Sequence, residues 1–189
     1  MNAPNLLGFS RVALTFVIML LLFVETWWAK PLALGLFVVA AITDWLDGWL
    51  ARRWRQTTPM GALLDPIADK ILVLGMFLVF VQLELVPAWM VLLIMFREVL
   101  ITSVRLYAVS RGVVLAAARE GKHKTASQMF TITLILTLLA VQACLPETRA
   151  QAFVAPVQII ILICVWVTML LTIISGAAFF WRNRNLFQG

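Results

Sequence analysis

An all-α integral membrane protein with six transmembrane helices is the fold class that this sequence predicts. Three observations carry the expectation. The 189 residues are 63% hydrophobic and 13% charged, the composition of a polytopic membrane protein rather than of a water-soluble domain. The apolar residues gather into six stretches of about 20 residues, each long enough to cross a bilayer as a helix. The links between them are short, and basic residues flank the stretches. No repeat or low-complexity tract interrupts the pattern, so residues 1–184 read as a single polytopic membrane domain. The last residues, Asn185, Leu186, Phe187, Gln188 and Gly189, look like the remnant of an engineered protease site.

The first stretch covers about residues 7–24, and Trp27 and Trp28 follow as an interfacial aromatic pair. No basic region precedes it, and it is long enough to stay as a helix, so no cleaved leader is expected. The second stretch, 31–54, contains Asp44 and Asp47, and the third, 62–82, contains Asp65 and Asp69. Pro87 opens the fourth, which ends near Ser110; the fifth spans 124–143 and the sixth 153–181. Arg52, Arg53, Arg55, Arg111, Arg119, Lys122, Lys124, Arg182 and Arg184 fall on one side of this topology. The other side has Lys30 and Arg149 beside Glu25, Glu84 and Glu147. That imbalance predicts cytoplasmic termini. The net charge of +6 suits anionic lipid and phosphorylated substrates better than nucleic acid, because the basic residues flank membrane segments. Cys144 and Cys164 lie in apolar segments without further ligands nearby, which excludes a disulfide framework or a zinc site.

The four Asp residues of the protein all lie between 44 and 69. An ionisable group within a membrane segment costs about 2.5–3.5 kcal/mol on insertion scales, so such groups are functional candidates. Asp44 and Asp47 are three apart and Asp65 and Asp69 four apart, so each pair shares a helix face. A polar link with Gly61 just beyond it joins the two helices, which can aim both pairs at one point. Four carboxylates in that position need cations to stay ionised together. Hard oxygen donors suit Mg²⁺ or Mn²⁺, and four can hold two ions. Two such ions, roughly 3.5–4 Å apart, steady the attacking and leaving oxygens of a phosphoryl transfer. The plainer alternative is charge pairing with Arg52, Arg53, Arg55 and Lys70, which does not account for the clustering.

A second polar group lies at 97–124. Arg97 and Arg105 are eight apart and roughly on one helix face, Glu98 can partner a neighbouring base, and Lys122 and Lys124 open the fifth helix. Converging Arg and Lys make a phosphate site. The alternatives are pairing with Glu98 or with Asp for the arginines, and positive-inside topology for the lysines. His123, the one histidine, reads as a solvated or packed residue.

The acidic stretch has the pattern D-x2-D-G-x2-A-R-x8-G-x3-D-x3-D, met at Asp44, Asp47, Gly48, Ala51, Arg52, Gly61, Asp65 and Asp69. It resembles the signature of the CDP-alcohol phosphotransferases. Arg97, Glu98 and Arg105, with Gly121, Lys122, Lys124, Thr125 and Gln128, resemble the phosphatidylglycerophosphate synthase branch, as do Pro4, Asn5, Leu6, Leu7 and Arg11. The likeness covers about the first 130 residues; Gly8 departs from it, standing where that branch usually has Thr.

The resemblance implies the family's six-helix fold and a transferase of phospholipid biosynthesis. The 1-hydroxyl of sn-glycerol 3-phosphate would attack the lipid-linked phosphorus of CDP-diacylglycerol, releasing CMP. It implies Asp44, Asp47, Asp65 and Asp69 as metal ligands, with Asp69 also the base. Asp44, Gly48, Ala51, Arg52 and Gly61 would contact CDP, and Arg97, Arg105, Lys122 and Lys124 the glycerol phosphate. A homodimer in a bacterial cytoplasmic membrane is implied as well. No Ser, Cys or His is arranged as a nucleophile, which favours direct displacement. Three rivals stand beside this reading. They are the same chemistry with inositol phosphate, serine or phosphatidylglycerol as acceptor, an intramembrane prenyltransferase, and a non-enzymatic divalent-cation transporter.

Overall fold

The computed structural model describes the backbone of residues 3–54, 59–110 and 119–184, and the side chains of 10–43, 70–108, 110, 123–146 and 148–184. It is all-helical: α1 (Ala3–Leu22), α2 (Ala29–Trp54), α3 (Pro59–Gln82), α4 (Ala88–Ser110), α5 (Arg119–Cys144) and α6 (Glu147–Arg182). No strand occurs among the described residues. The apolar runs find the elements, and several helices begin before them, although α1 ends at Leu22 rather than 24. α5 begins at Arg119 rather than 124, and α6 at Glu147 rather than 153. A helix keeps its backbone hydrogen bonds after its side chains turn polar, so hydropathy alone ends it too early.

Helix α3 sits deep in the bundle. Leu72, Val73, Met76, Phe77, Val79 and Phe80 are all buried, on more than one face of the helix. It packs against α1, α4 and α5. The other contacts complete a ring in the order α1, α2, α5, α6, α4, α3, with α3 and α5 touching across it. Phe37 of α2, Met90 and Ile94 of α4, and Ile132, Ile135 and Leu136 of α5 fill the interior. Gly75 lets α1 approach α3 closely, since a Cβ there would meet Met19 Sδ at 3.3 Å and Thr15 Cγ2 at 3.4 Å.

The outward faces are apolar too. On α6, Val157, Ile161, Val165 and Met169 face inward, whereas Ile159, Ile163, Val167, Leu170 and Ile174 are exposed. On α4, Leu92, Phe96, Val99 and Leu106 are exposed. Apolar surface of this extent suits hydrocarbon rather than water, and the protein is a membrane protein. Among the described residues, two stretches are long and apolar enough to cross a bilayer, His123–Cys144 and Thr148–Arg182. α4 carries Arg97, Glu98 and Arg105 along its length.

The α3–α4 corner shows how the chain turns without glycine. Leu85 N–H donates to Phe80 O and Glu84 N–H to Val81 O, both at 2.9 Å, and Glu84 holds φ at 58°. This is a Schellman motif, with Pro87 stopping the helix just beyond it. The motif normally places glycine where Glu84 stands, because the left-handed conformation costs other residues roughly 1–2 kcal/mol. Glu84→Gly should therefore stabilise the protein by about 1 kcal/mol, read as a higher midpoint of thermal unfolding in detergent. A lower midpoint would mean that the Glu84 side chain stabilises the corner.

Candidate active site

Asp44 and Asp47 lie in the second half of α2, and Asp65 and Asp69 in the first half of α3. Only residues 55–58 separate these helices, so both pairs belong to the same end of the bundle. The side chains of the four Asp, and those of Gly48, Ala51, Arg52, Gly61 and Lys122, lie outside the described residues. Among those described, no cluster of three or more His, Cys, Asp or Glu occurs.

The described part of this bundle end is built on Glu98. Lys70, next in the chain after Asp69, donates to Glu98 Oε2 at 2.9 Å. Arg97 Nη1 donates to Oε1 at 2.9 Å, and Lys124 Nζ also pairs with Oε1. The one carboxylate thus joins α3, α4 and α5, and it is buried, as is Lys124. Three cations share a single negative charge, so the knot remains cationic beside the acidic motif. Arg97 reaches a fourth helix: its Nη2 donates to Ser175 Oγ of α6 at 2.7 Å. Arg11, on α1, is also buried.

A seam of hydroxyls continues from the knot between α5 and α6. Thr168 Oγ1 is 2.8 Å from both Ser127 Oγ and Thr131 Oγ1. Interhelical bonds of this kind fix the register of helices whose outer faces are equally apolar. Arg97 Nε, Gln128 Nε2 and Thr172 Oγ1 are buried without a hydrogen-bond partner among the described residues. Gln128 is one turn from Lys124 on α5, and Thr172 is one turn from Gly176 on α6. Buried donors are seldom left unpaired, so their concentration here marks a place suited to polar ligand or water.

A family model described as CDP-alcohol phosphatidyltransferase matches residues 1–181. The chain belongs to that family. It is similar to three proteins called CDP-diacylglycerol–glycerol-3-phosphate 3-phosphatidyltransferase. The one from Bacillus subtilis (strain 168) is 33% identical over 96% of this chain and 95% of the relative. The one from Rickettsia typhi (strain Wilmington) is 32% identical over 98% of this chain and 99% of the relative. The one from Pectobacterium atrosepticum is 40% identical over 71% of this chain and 76% of the relative. The family match runs through α6, well past the first 130 residues on which the motifs lie.

Against this geometry, the predicted basic group divides. Arg97 and Lys124 come together through Glu98. Arg105 lies two turns further along α4, exposed and outside the Glu98 ion pairs. The pairing of Arg97 with Glu98 is the plainer alternative that the sequence allows. His123 is exposed. Sequence reasoning passed over Lys70 as an organiser of the site, and over the α5–α6 hydroxyls altogether. A signal for the latter exists: Ser127 and Thr131 are four apart, as are Thr168 and Thr172, with Ser175 three further on, a helix-face spacing.

Proposed function

We infer that this membrane protein transfers the phosphatidyl group of CDP-diacylglycerol to sn-glycerol 3-phosphate, giving phosphatidylglycerophosphate and CMP. The observation that carries the reading is the complete acidic motif at one end of the α2–α3 pair, in a chain whose relatives bear that enzyme's name over almost their full length. The acceptor 1-hydroxyl oxygen forms a bond to the lipid-linked phosphorus, and the bond from that phosphorus to the CMP oxygen breaks. Asp69 takes the hydroxyl proton. Asp44, Asp47, Asp65 and Asp69 are hard anionic donors drawn from two helices, a set that fits two Mg²⁺ or Mn²⁺ ions. When bound, such ions supply charge neutralisation of the pyrophosphate and stabilise the leaving oxygen. Arg52 forks onto a donor phosphate, while Gly48, Ala51 and Gly61 leave room for the nucleotide. Arg97, Arg105, Lys122 and Lys124 serve the acceptor phosphate. The surplus positive charge around Glu98 supports that division of labour, because it offers an anion site separate from the acidic motif.

All six helices cross the membrane in this reading. α1, with 20 residues, is the shortest of the six, and at 1.5 Å per residue it still spans about 30 Å. The active site faces the cytoplasm of a bacterium, and the enzyme works as a homodimer. Cysteines placed singly at Thr57 and Glu120, with Cys144 and Cys164 replaced, should react with an impermeant thiol reagent from the cytoplasmic side. A cysteine at Glu147 should react from the other side. Labelling of Thr57 and Glu147 from one side would contradict six crossings.

The acceptor is tested with purified protein, Mg²⁺ and CDP-diacylglycerol. Glycerol 3-phosphate, inositol phosphate, serine and phosphatidylglycerol are supplied in turn and CMP is measured. Glycerol 3-phosphate should be the strong acceptor. A preference for serine or phosphatidylglycerol would overturn the acceptor assignment and leave the acidic motif's chemistry standing.

A further inference from the structure

We propose that α6 is a working part of the acceptor side of the site, with Ser175 and Gly176 as positioning residues for the Arg97 guanidinium. The proposal rests on the reading of Arg97 as an acceptor-phosphate ligand. Arg97 is held from both sides. Nη1 donates to Glu98 on its own helix and Nη2 to Ser175 on α6. Its stem runs across Gly176, where a Cβ would stand 3.2 Å from Arg97 Cγ and 3.4 Å from Nε. The contact to Cγ is tighter than ordinary packing, so a Cβ at 176 would push the stem aside by a few tenths of an ångström. A guanidinium has five N–H donors. The two bonds to Glu98 and Ser175 leave Nε–H and one N–H on each Nη for a ligand, and Nε has no partner among the described residues.

The placement of Ser175 depends on the depth and rotation of α6. From Ala152 to Trp181 its outer face is apolar and slides against lipid at little cost. The Ser127–Thr168–Thr131 seam supplies the register that the apolar contacts lack. Thr168 and Ser175 are seven residues apart, two helical turns on one face, so fixing the first fixes the second. A planar fork binds a phosphate well only when its plane is set in advance, and these contacts set it.

The test is steady-state CMP release with glycerol 3-phosphate and CDP-diacylglycerol titrated separately. Ser175→Ala should raise the KM for glycerol 3-phosphate about 3- to 10-fold, the weight of one hydrogen bond. The kcat and the KM for CDP-diacylglycerol should hold. Ser175→Thr, which keeps the hydroxyl, should recover the wild-type KM, and Gly176→Ala should move it in the same direction as Ser175→Ala. In an Arg97→Ala background, Ser175→Ala should add nothing, since its effect passes through Arg97. An unchanged KM in Ser175→Ala, or an undiminished effect without Arg97, overturns the proposal. Should Ser175→Ala not fold, the near-isosteric Ser175→Cys, a weaker acceptor, decides by the same comparison. If Arg97→Ala by itself leaves the acceptor KM unmoved, it is the underlying reading of Arg97 that fails. Absence of wild-type turnover on glycerol 3-phosphate would instead refute the function.

Discussion

Asp44→Ala, Asp47→Ala, Asp65→Ala and Asp69→Ala should each lower CMP release by at least about 100-fold, since losing even an outer-shell partner of a metal ligand costs 10–100-fold. Chelation of divalent cations should abolish the activity of the unaltered protein, and Mg²⁺ or Mn²⁺ should restore it. The four positions are not interchangeable with other acidic sites in the chain. Glu25 and Glu84, at the opposite end of the bundle, are exposed and free to be solvated, and their replacement should leave turnover within about twofold, as for other surface changes. The variants should still insert, because removing a carboxylate from a membrane segment lowers the cost of insertion. Full turnover after exhaustive chelation would mean that the reaction needs no metal.

Glu98→Ala should destabilise the protein by about 3–5 kcal/mol, the cost of leaving a buried charge without its partner. The loss falls on three groups at once, Lys70, Arg97 and Lys124. Lys124 suffers most, being buried with Glu98 as its counter-ion. Thermal unfolding in detergent reads the effect. Combining Glu98→Leu with Lys124→Met should recover part of it, because a buried pair replaced by apolar residues of similar size is often tolerated. That double variant should be more stable than Glu98→Ala yet poor in turnover. The knot then serves to place its cations, and hydrophobic packing could substitute for it in stability alone. An unfolding midpoint in Glu98→Ala equal to that of the unaltered protein would mean that water reaches the knot.

The helices were legible because each is built around an apolar run, a signal local to the run. Their ends were less legible. Arg119 to His123 are helical in α5 though polar, and Thr148 to Ala152 extend α6 ahead of its strongly apolar run. The acidic motif was legible for a similar local reason, since helix spacing within 26 consecutive residues, 44–69, brings its members together. The Glu98 knot was not. Lys70 and Lys124 lie 28 and 26 residues from Glu98, and Ser175 lies 78 residues from Arg97. Which helices meet is decided by packing around α3, and no periodicity within one helix reveals it. The sequence marked Arg97 and Arg105 as a pair by their spacing along one helix. Tertiary contacts separate them, holding Arg97 between Glu98 and Ser175 and leaving Arg105 exposed. The hydroxyl seam shows the intermediate case, in which the face could be read and its partner helix could not.

Phosphatidyl transfer to glycerol 3-phosphate is decided by mass balance. Purified protein in lipid vesicles receives Mg²⁺, CDP-diacylglycerol and isotopically labelled glycerol 3-phosphate, and CMP and labelled lipid are both quantified. Equal amounts of the two products are expected, each dependent on both substrates and on the metal. CMP released without labelled lipid, or divalent-cation flux into the vesicles with no lipid product at all, would contradict such transfer.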